Sequence, residues 1–346
     1  MKISICIPQY NRVEYLIKNL DIIEKQNHLN FEVVISDDCS TDDTTERISE
    51  YRSRSSLNIN YFRFDQNQGY DRNLRKSLEL ATGDYCFVLG NDDTLAHDHV
   101  LSNLEKFLTT NQLPDIGFCN YCDFLDSQAV TSRAFRTGIV GSGVDTAILY
   151  YSSFSFVGGI IIKKSTFDKY NTAVYDKSIF AQIALALHMI SNGAVLFSIS
   201  EVWVKKDITV DNGIKSNSYR DVINRSWRNI RPVDGGLKSV VNVLVRVLKE
   251  NKALTPTRLN YIFNKILLNT YPYWILDYKF NKATPAAIGL FLGLKPWTFE
   301  EFHLLSVFKR FKFIIAYYVV SLVAFMTPSH IFFIFKERIY AWLKKK

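Results

Sequence analysis

Two adjacent carboxylates, Asp92 and Asp93, follow directly after an apolar run at residues 85–89. Such a run predicts a buried strand, and the carboxyl end of a strand in an open α/β sheet faces the crevice where ligands bind. Carboxylate oxygens at an open mouth suit Mg2+ or Mn2+ held jointly by the protein and a substrate diphosphate. The alternative is a plain strand-to-helix turn in which Asp93 or Thr94 caps the next helix.

The elements before these acids repeat one unit, a strand followed by a helix. Strand-like runs occur at residues 3–7, 31–36 and 60–64, and each leads into a segment with helical periodicity. The second run also ends in two acids, Asp37 and Asp38. Four strands with three intervening helices predict a doubly wound α/β sheet, mostly parallel and Rossmann-like, with helices on both faces.

The sequence lacks the motifs of the common phosphate-binding folds. No Gly-x-Gly-x-x-Gly follows any of these strands, and no Gly-x-x-x-x-Gly-Lys-Ser/Thr occurs. A dinucleotide fold or a P-loop would therefore be without its own phosphate-binding device. What remains is an open sheet in which a metal neutralises the phosphates of the ligand.

Five short blocks occur in order along residues 1–210. They are Ile7-Pro8-Gln9-Tyr10-Asn11-Arg12, Ser36-Asp37-Asp38-Cys39-Ser40-Thr41-Asp42, Asn67-Gln68-Gly69 with Arg72-Asn73, Ala81-Thr82-Gly83-Asp84-Tyr85, and Leu89-Gly90-Asn91-Asp92-Asp93. In these blocks the chain resembles family 2 glycosyltransferases of the GT-A fold. It is most similar to bacterial enzymes of O-antigen and capsule assembly, the abequosyltransferase-like branch included.

This resemblance implies a role for individual residues. The implied donor-nucleotide site consists of Pro8 and Tyr10 lining the base pocket, Asp38 hydrogen-bonded to the base, Asp92 facing the ribose or donor sugar, and Arg12 and Arg72. Asp93 would bind the metal cofactor, Mn2+ or Mg2+. Gly90 stands where the family usually has a first acid, which bears on how tightly the metal is held.

Asp176 is the candidate general base. Inverting transfer needs a carboxylate to deprotonate the acceptor hydroxyl, and family members place this acid just after a strand that residues 156–162 resemble. Asp168 is the other acid of this window, and the usual Glu-Asp pair is absent. The alternative role for Asp176 is helix capping.

Two further segments are predicted to lie over the site. Residues 126–143 contain Arg133 and Arg136 and show little periodicity, which indicates a loop. Residues 207–213 are predicted to form a flexible lid over the diphosphate.

Charge is divided unevenly along the 346 residues. Residues 1–200 hold 18 Lys and Arg against 24 Asp and Glu, net −6, whereas residues 201–346 hold 24 against 10, net +14. Such asymmetry predicts two regions with different partners. We place a GT-A glycosyltransferase domain at residues 1–215 and a basic, aromatic-rich helical region at residues 216–346.

The basic region is predicted to associate with a membrane. Aromatic and basic residues interleave on helices with wide apolar faces, and no nucleic-acid-binding module is recognised, so nucleic acid is not an expected partner. Residues 313–335 lack Asp, Glu, Lys and Arg, but Thr327-Pro328-Ser329 interrupts them and cationic clusters flank both ends. We expect in-plane or re-entrant attachment to anionic lipid, peripheral or monotopic, at the cytoplasmic face of the bacterial inner membrane.

The five cysteines lie mostly in strand-like runs, and no cleavable signal precedes residues 3–8. Both observations predict a reducing cytosol. Cys119-x-x-Cys122 has no second CxxC motif, so two packed thiols are favoured over zinc.

Three functions remain open. The first is an inverting, metal-dependent glycosyltransferase that moves a sugar from a nucleotide-diphospho-sugar to a polyprenyl-diphosphate-linked saccharide, in surface polysaccharide synthesis. The second is a non-catalytic nucleotide- or sugar-binding protein on the same fold, which Gly90 and the missing Glu-Asp pair favour. The third is a nucleotidyltransferase, which should carry a Gly-rich loop that residues 8–12 lack.

Overall fold

A computed structural model describes residues 1–210, 214–215 and 236–344 of the chain. The chain divides into two compact units, Met1–Ser216 and Asn217–Lys346. Each unit is described by itself. The division lies one residue beyond the boundary predicted from charge and periodicity, in a stretch that is outside the described residues.

The first four strands of the N-terminal unit form the predicted parallel sheet. Their order is β3-β2-β1-β4, with β1 at Ile3–Gln9, β2 at Phe31–Asp37, β3 at Ile59–Arg63 and β4 at Tyr85–Val88. Gln9 is in register with Asp37, and Cys6 with Val88. The carboxyl ends of three neighbouring strands therefore meet at one edge, where the acids follow.

Helices connect these strands and cover the sheet. They are α1 (Val13–Ile23), α2 (Thr44–Arg54), α3 (Tyr70–Glu79) and α4 (Val100–Thr110). The buried positions of α1 include Val13, Leu16, Leu20 and Ile23, which recur at the three- and four-residue spacing of one helix face. This face packs into the same apolar core as β1 and β2.

The remaining strands make the sheet mixed. They are β5 (Thr94–Leu95), β6 (Ile116–Asp123), β7 (Val130–Thr131), β8 (Gly138–Gly141), β9 (Ile160–Lys163) and β10 (Leu196–Lys206). The order along the sheet is β3-β2-β1-β4-β9-β6-β10-β5, with β7 on β6 and β8 on β10. Because β9 runs antiparallel to both of its neighbours, it separates two parallel parts. The predicted α/β class, with a mostly parallel sheet, is confirmed.

Three helices and a short hairpin complete this unit. They are α5 (Val144–Tyr150), α6 (Lys164–Tyr170), α7 (Ala181–Ser191), β11 (Thr209–Val210) and β12 (Ile214–Lys215). Residues 126–143, predicted to be a loop, are irregular over most of their length but also supply β7, β8 and the buried Arg133. Of the predicted lid, Thr209–Val210 pairs with Ile214–Lys215, whereas residues 211–213 are outside the described residues.

The C-terminal unit is helical, as predicted. Its helices are α8 (Leu237–Glu250), α9 (Pro256–Phe263), α10 (Tyr271–Phe280), α11 (Thr284–Gly293), α12 (Val307–Met326) and α13 (Ser329–Lys344), and a π-helix at Asn264–Thr270 joins α9 to α10. The start of this region, predicted at residue 216, lies outside the described residues.

The break predicted at residues 327–329 coincides with a sharp bend. Within the described residues, no single helix is both long and apolar enough to cross a membrane. Val307–Met326 and Ser329–Lys336 satisfy that criterion only as a pair, and they are bent by 101°. Lys279 of α10 donates to the carbonyls of Ala324 (2.9 Å) and Thr327 (2.8 Å) at the end of α12.

Candidate active site

The turn after β1 directs an arginine towards the acidic edge. Asn11 and Arg12 are both left-handed, with φ of 53° and 61°, a conformation that costs non-glycine residues energy. Hydrogen bonds from Asn11 N to Ser40 Oγ and from Thr41 N to Asn11 Oδ1, both 2.8 Å, hold the turn. Arg12 Nη1 consequently lies 3.1 Å from Asp92 Oδ2. The structure therefore brings together two residues that the resemblance assigns to the donor.

Asp38 fixes the loop that precedes α3. Its Oδ1 accepts from Gln68 N at 2.6 Å and its Oδ2 from Gly69 N at 2.9 Å, while its own N–H donates to Gln9 O. Gly69 has φ of 85°, where a glycine is favoured. Asp38 thus lies at the predicted edge, and both of its oxygens already accept one hydrogen bond.

Pro8 and Tyr10 lie at the end of β1. Pro8 is half-buried and the Tyr10 ring is 46% exposed. Gln9 between them faces the opposite way, because side chains alternate along a strand, and its Oε1 accepts from Asn91 Nδ2 at 2.9 Å. An exposed aromatic ring at the mouth of the crevice is available for stacking on a flat ligand.

Asp93 is an almost fully buried acid of the site, with 4% of its surface exposed. A Cβ added at Gly90 would lie 2.7 Å from Asp93 Oδ2, and one at Gly158 would lie 2.8 Å from the same atom. Two glycines therefore leave room for this carboxylate, which explains why Gly90 rather than an acid occupies its position.

Burial, followed by the charges of Asp92 and Asp207, raises the pKa of Asp93 well above its usual range. A backbone hydrogen bond from Asp207 and the Lys206 ammonium oppose this shift. Ile208 N donates to Asp92 O at 2.8 Å, so the chain after β10 lies against the acidic edge. Asp207 is a site residue that sequence reasoning missed, because only the fold brings it next to Asp93.

Arg133 is a second residue whose place the sequence did not reveal. It is 2% exposed, and its guanidinium donates to the carbonyls of Cys119, Ser153, Phe156 and Gly158. Burial lowers the pKa of Arg133.

The rings of Phe118, Tyr121 and Phe156 have their centroids 5.4 to 5.8 Å from the Arg133 guanidinium carbon. By binding the carbonyl of Gly158, Arg133 holds the backbone that faces Asp93. An arginine in a polar stretch gave no signal of this role.

Asp176 lies against α3. Its Oδ1 and Oδ2 each accept from Arg75, at 2.7 Å from Nε and 2.7 Å from Nη2, and Arg75 is itself buried. The guanidinium therefore engages both oxygens of the Asp176 carboxylate through two N–H donors. The base role of Asp176 stays a prediction, and this geometry gives it a competing role as an anchor.

Arg72 lies on the same helix as Arg75. Its Nη1 is 2.9 Å from both oxygens of Glu79, and its guanidinium carbon lies 5.7 Å from the Phe64 ring centroid. The structure thus engages Arg72 with α3 and β3 residues, and its donor role stays a prediction.

The segment after Asp176 is held by Asp71 of α3. Asp71 accepts from Ile179 N at 2.7 Å and Ala181 N at 3.1 Å, and from the Ser178 hydroxyl. The start of α7 is therefore tied to α3. Nothing in the sequence pairs residues that are more than 100 positions apart.

The donor set fits a hard cation. Asp93 is a buried carboxylate next to two other carboxylates, which is an unfavourable arrangement unless a positive charge joins it. Across the described residues there is no cluster of three or more His, Cys, Asp or Glu side chains placed to hold a metal. A cation bound by one or two carboxylates would take its remaining oxygen ligands from a substrate or from water.

The fold and this edge define an α/β domain of the GT-A type. Residues 4–154 match the family model described as glycosyl transferase family 2. This match confirms, over that part of the chain, the resemblance to family 2 glycosyltransferases seen in the sequence.

Relatives support the same family. The chain is 37% identical over 185 residues to abequosyltransferase RfbV of Salmonella typhimurium, covering 49% of this chain and 54% of that protein. It is 33% identical over 96 residues to poly(ribitol-phosphate) beta-N-acetylglucosaminyltransferase TarS of Staphylococcus aureus, covering 27% of this chain and 16% of that protein. The chain thus matches about half of the first relative and much less of the second.

A solved structure shares the fold. The crystal structure of residues 1–349 of S. aureus TarS superposes with a TM-score of 0.52 at 18% identity, over 93% of this chain and 90% of that one. The same fragment has been solved with UDP and with UDP-GlcNAc, at a TM-score of 0.51 in each case.

Proposed function

We propose that this chain transfers a sugar from a nucleotide-diphospho-sugar to a lipid-linked glycan acceptor, with inversion, in bacterial surface polysaccharide synthesis. One observation carries the proposal: a family 2 domain encloses Asp93 between Gly90 and Gly158 at the edge where Arg12, Asp38 and Asp92 also lie. The abequosyltransferase and TarS relatives motivate the polysaccharide context, and the UDP-bound TarS structures motivate the donor class.

The donor would lie across the carboxyl ends of β1, β2 and β4. Tyr10 would stack on the base, and Pro8 would complete that wall. Asp38 retains lone pairs beyond the two backbone hydrogen bonds it accepts, so it can also accept from a base N–H. Arg12 would bind the diphosphate or hold Asp92 towards the ribose. Arg72 would reach the donor only by leaving Glu79.

Mn2+ or Mg2+ would be held by Asp93, with Asp92 beside it and the donor diphosphate as the remaining ligand. When bound, such an ion supplies positive charge to the leaving diphosphate. Asp93 would become fully ionised at neutral pH in that state, because the cation opposes the burial and repulsion that raise its pKa.

Asp176 remains the base that the resemblance implies, and it would have to accept the proton of the acceptor hydroxyl while Arg75 engages both of its oxygens, or after this ion pair opens. If Asp176 instead anchors the start of α7, then Asp168 is the next acid to test.

The C-terminal unit would attach the protein to the cytoplasmic face of the inner membrane, peripherally or in plane. Support comes from exposed apolar side chains on both arms of the bend, at Phe311, Val319 and Leu322 on α12 and Phe333 and Ile334 on α13. Lys309, Lys312 and Arg338 flank them, and each basic residue near anionic lipid adds roughly 1 kcal/mol.

The test is incubation of the full chain with Mn2+ and a panel of nucleotide sugars, with and without a polyprenyl-diphosphate-linked saccharide. We expect acceptor-dependent release of a nucleoside diphosphate and an anomerically inverted product. Donor binding without release for every sugar and acceptor would favour the alternative, a non-catalytic nucleotide- or sugar-binding protein. The ion pair between Asp176 and Arg75 is the observation that favours that alternative.

A further inference from the structure

A cleft of about 690 Å³ opens in the C-terminal unit, between the start of α12 and the short 3-10 turns that precede it. Its walls are mostly aromatic and aliphatic, with Trp297, Phe299, Phe302, Phe311 and Ile314 among them. Arg310 lines the cleft as well, together with the polar residues Thr298, Glu300 and His303. A mostly apolar volume of this size with a few polar groups is typical of a small-ligand site.

Arg310, which lines this cleft, has an unmet hydrogen-bonding group. Its Nε is buried and has no hydrogen-bond partner among the residues that the structure describes. A buried guanidinium N–H left in this way costs free energy unless a ligand accepts from it. The acids at the rim do not supply that acceptor, since Glu301 lies 2.5 Å from Lys249 and Glu300 lies 3.9 Å from the same ammonium.

The charge at the start of α12 points to an anion. The positive end of a helix macrodipole favours acids in the first turn, yet this turn has none and instead carries Lys309 and Arg310, with Lys312 following. Cations placed there oppose the dipole. A bound anion would offset both the dipole and the side-chain charge, as at other helix N-termini that bind phosphate.

The apolar lining continues out of the cleft along α12. Phe311 is 63% exposed, and Ile315, Val319 and Leu322 follow it at the three- and four-residue spacing of one helix face. A ligand with a long apolar chain could therefore lie along this face while its charged end remains in the cleft.

We propose that this cleft binds the phosphate end of a single-chain lipid phosphate, with Arg310 donating hydrogen bonds to the phosphate and the aromatic walls covering the first part of the chain. The occupant to which we commit is the lipid carrier of the acceptor, so the inference rests on the proposed function. It adds to that function a discrete lipid site, distinct from adsorption of the helices to a bilayer.

The experiment measures binding of dodecyl phosphate to the full chain through tryptophan emission, since Trp297 lines the cleft. Dodecanol and inorganic phosphate are the partial probes, and phosphatidylglycerol vesicles represent the bilayer. We expect saturable binding of dodecyl phosphate, at least tenfold weaker binding of dodecanol, and no signal from inorganic phosphate. Equal affinity for dodecanol and dodecyl phosphate would overturn the recognition of the phosphate.

Arg310→Gln is the decisive variant and Lys309→Gln its matched control, since Lys309 is exposed and does not line the cleft. A hydrogen bond to a charged group contributes ~1.5–3 kcal/mol, so Arg310→Gln should weaken dodecyl phosphate binding by roughly tenfold or more. Lys309→Gln should change it less than about threefold. Equal losses in the two variants would indicate diffuse adsorption and overturn the site.

If Arg310→Gln folds poorly, Trp297→Ala is the second variant, and its binding of dodecyl phosphate is measured by calorimetry instead of tryptophan emission. We expect Trp297→Ala also to weaken dodecyl phosphate binding. Unchanged binding by Trp297→Ala would overturn the placement of the ligand in this cleft.

Failure of the site and failure of the proposed function are distinguishable. Transfer that is intact in Arg310→Gln with a lipid-linked acceptor refutes the site alone, whereas a wild-type chain that binds dodecyl phosphate but turns over no donor refutes the function alone.

Discussion

The two units handle their polar and apolar groups in opposite ways. In the N-terminal unit, charged side chains such as Asp93, Arg133 and Arg75 are buried, and each has partners that fix its position. In the C-terminal unit, large apolar side chains of α12 and α13 are exposed, whereas the cations are mostly at the surface. Buried charge is costly and is typical of a catalytic site, whereas exposed apolar surface is typical of a binding face.

Asp93 offers the strongest test of this contrast between the two units. We expect Asp93→Asn to lower kcat/KM by about 10³-fold or more, because a sparse metal site loses its buried anionic ligand. Asp98→Asn is the control, since Asp98 is an exposed acid on the same segment. Turnover and Mn2+ dependence are the measurements. Unchanged turnover at limiting Mn2+ would remove Asp93 from the metal site.

The raised pKa of Asp93 gives this prediction a pH dependence. Since the folded protein holds the proton more tightly than the unfolded chain does, the metal-free wild type should lose stability as pH rises through that pKa. Metal-free Asp93→Asn should therefore melt at a higher temperature than the wild type at neutral pH. As pH is lowered, the activity of the wild type at limiting metal should begin to fall at a higher pH than it would if Asp93 were exposed. A lower melting temperature of Asp93→Asn than of the wild type would contradict the conclusion that burial disfavours the charged form of Asp93.

Arg133 tests whether buried charge holds the fold as well as the site. Arg133→Met leaves four backbone carbonyls without their donor, so we expect a loss of about 3 kcal/mol or more in the free energy of unfolding, measured by urea denaturation. Arg136→Met, at an exposed position of the same segment, should change it by less than about 0.5 kcal/mol. Equal stabilities of the two variants would make Arg133 dispensable to the fold.

Asp176 distinguishes a catalytic from a structural carboxylate. As an anchor, Asp176→Asn should reduce stability, and its combination with Arg75→Met should cost less than the two single losses together, by about 1 kcal/mol or more. As a base, it should instead lower kcat by about 10²-fold while donor affinity and stability are unchanged. The geometry favours the first outcome, and a drop in kcat alone would restore the base.

The smallest expected effect concerns the C-terminal face. Leu322→Ser removes a 61% exposed leucine, so stability should change by less than about 0.5 kcal/mol, whereas partition to phosphatidylglycerol vesicles should fall by roughly tenfold. Leu29→Ser makes the same change at a 91% exposed position of the N-terminal unit and should leave partition unchanged. Equal loss of vesicle partition in both variants would mean that exposed apolar area anywhere on the chain binds the vesicles.

The sequence predicted those parts of the fold that local pattern determines. The apolar runs at residues 3–7, 31–36 and 85–89 became β1, β2 and β4, since a buried parallel strand needs only apolar side chains and a short length. Acids that directly follow such strands must lie at the common edge, so Asp38, Asp92 and Asp93 were placed correctly from position alone.

What the sequence did not predict depends on partners that are distant along the chain. Arg133 is buried because aromatic rings and carbonyls from three other segments surround it. Asp176 pairs with Arg75 across 101 positions, and no spacing rule relates the two residues. The strand expected from residue 156 begins only at Ile160, although Gly159 still donates to the carbonyl of Val88 and accepts from the N–H of Cys119.

Hydrogen bonds hold the bend between α12 and α13. The Lys279 ammonium donates to three carbonyls at the end of α12, so these carbonyls are already satisfied. To straighten the two helices into one rod, the protein would have to withdraw a cation from all three acceptors and leave them unsatisfied. For the membrane attachment proposed above, the 101° angle between the arms would set how much of each helix can touch the bilayer surface.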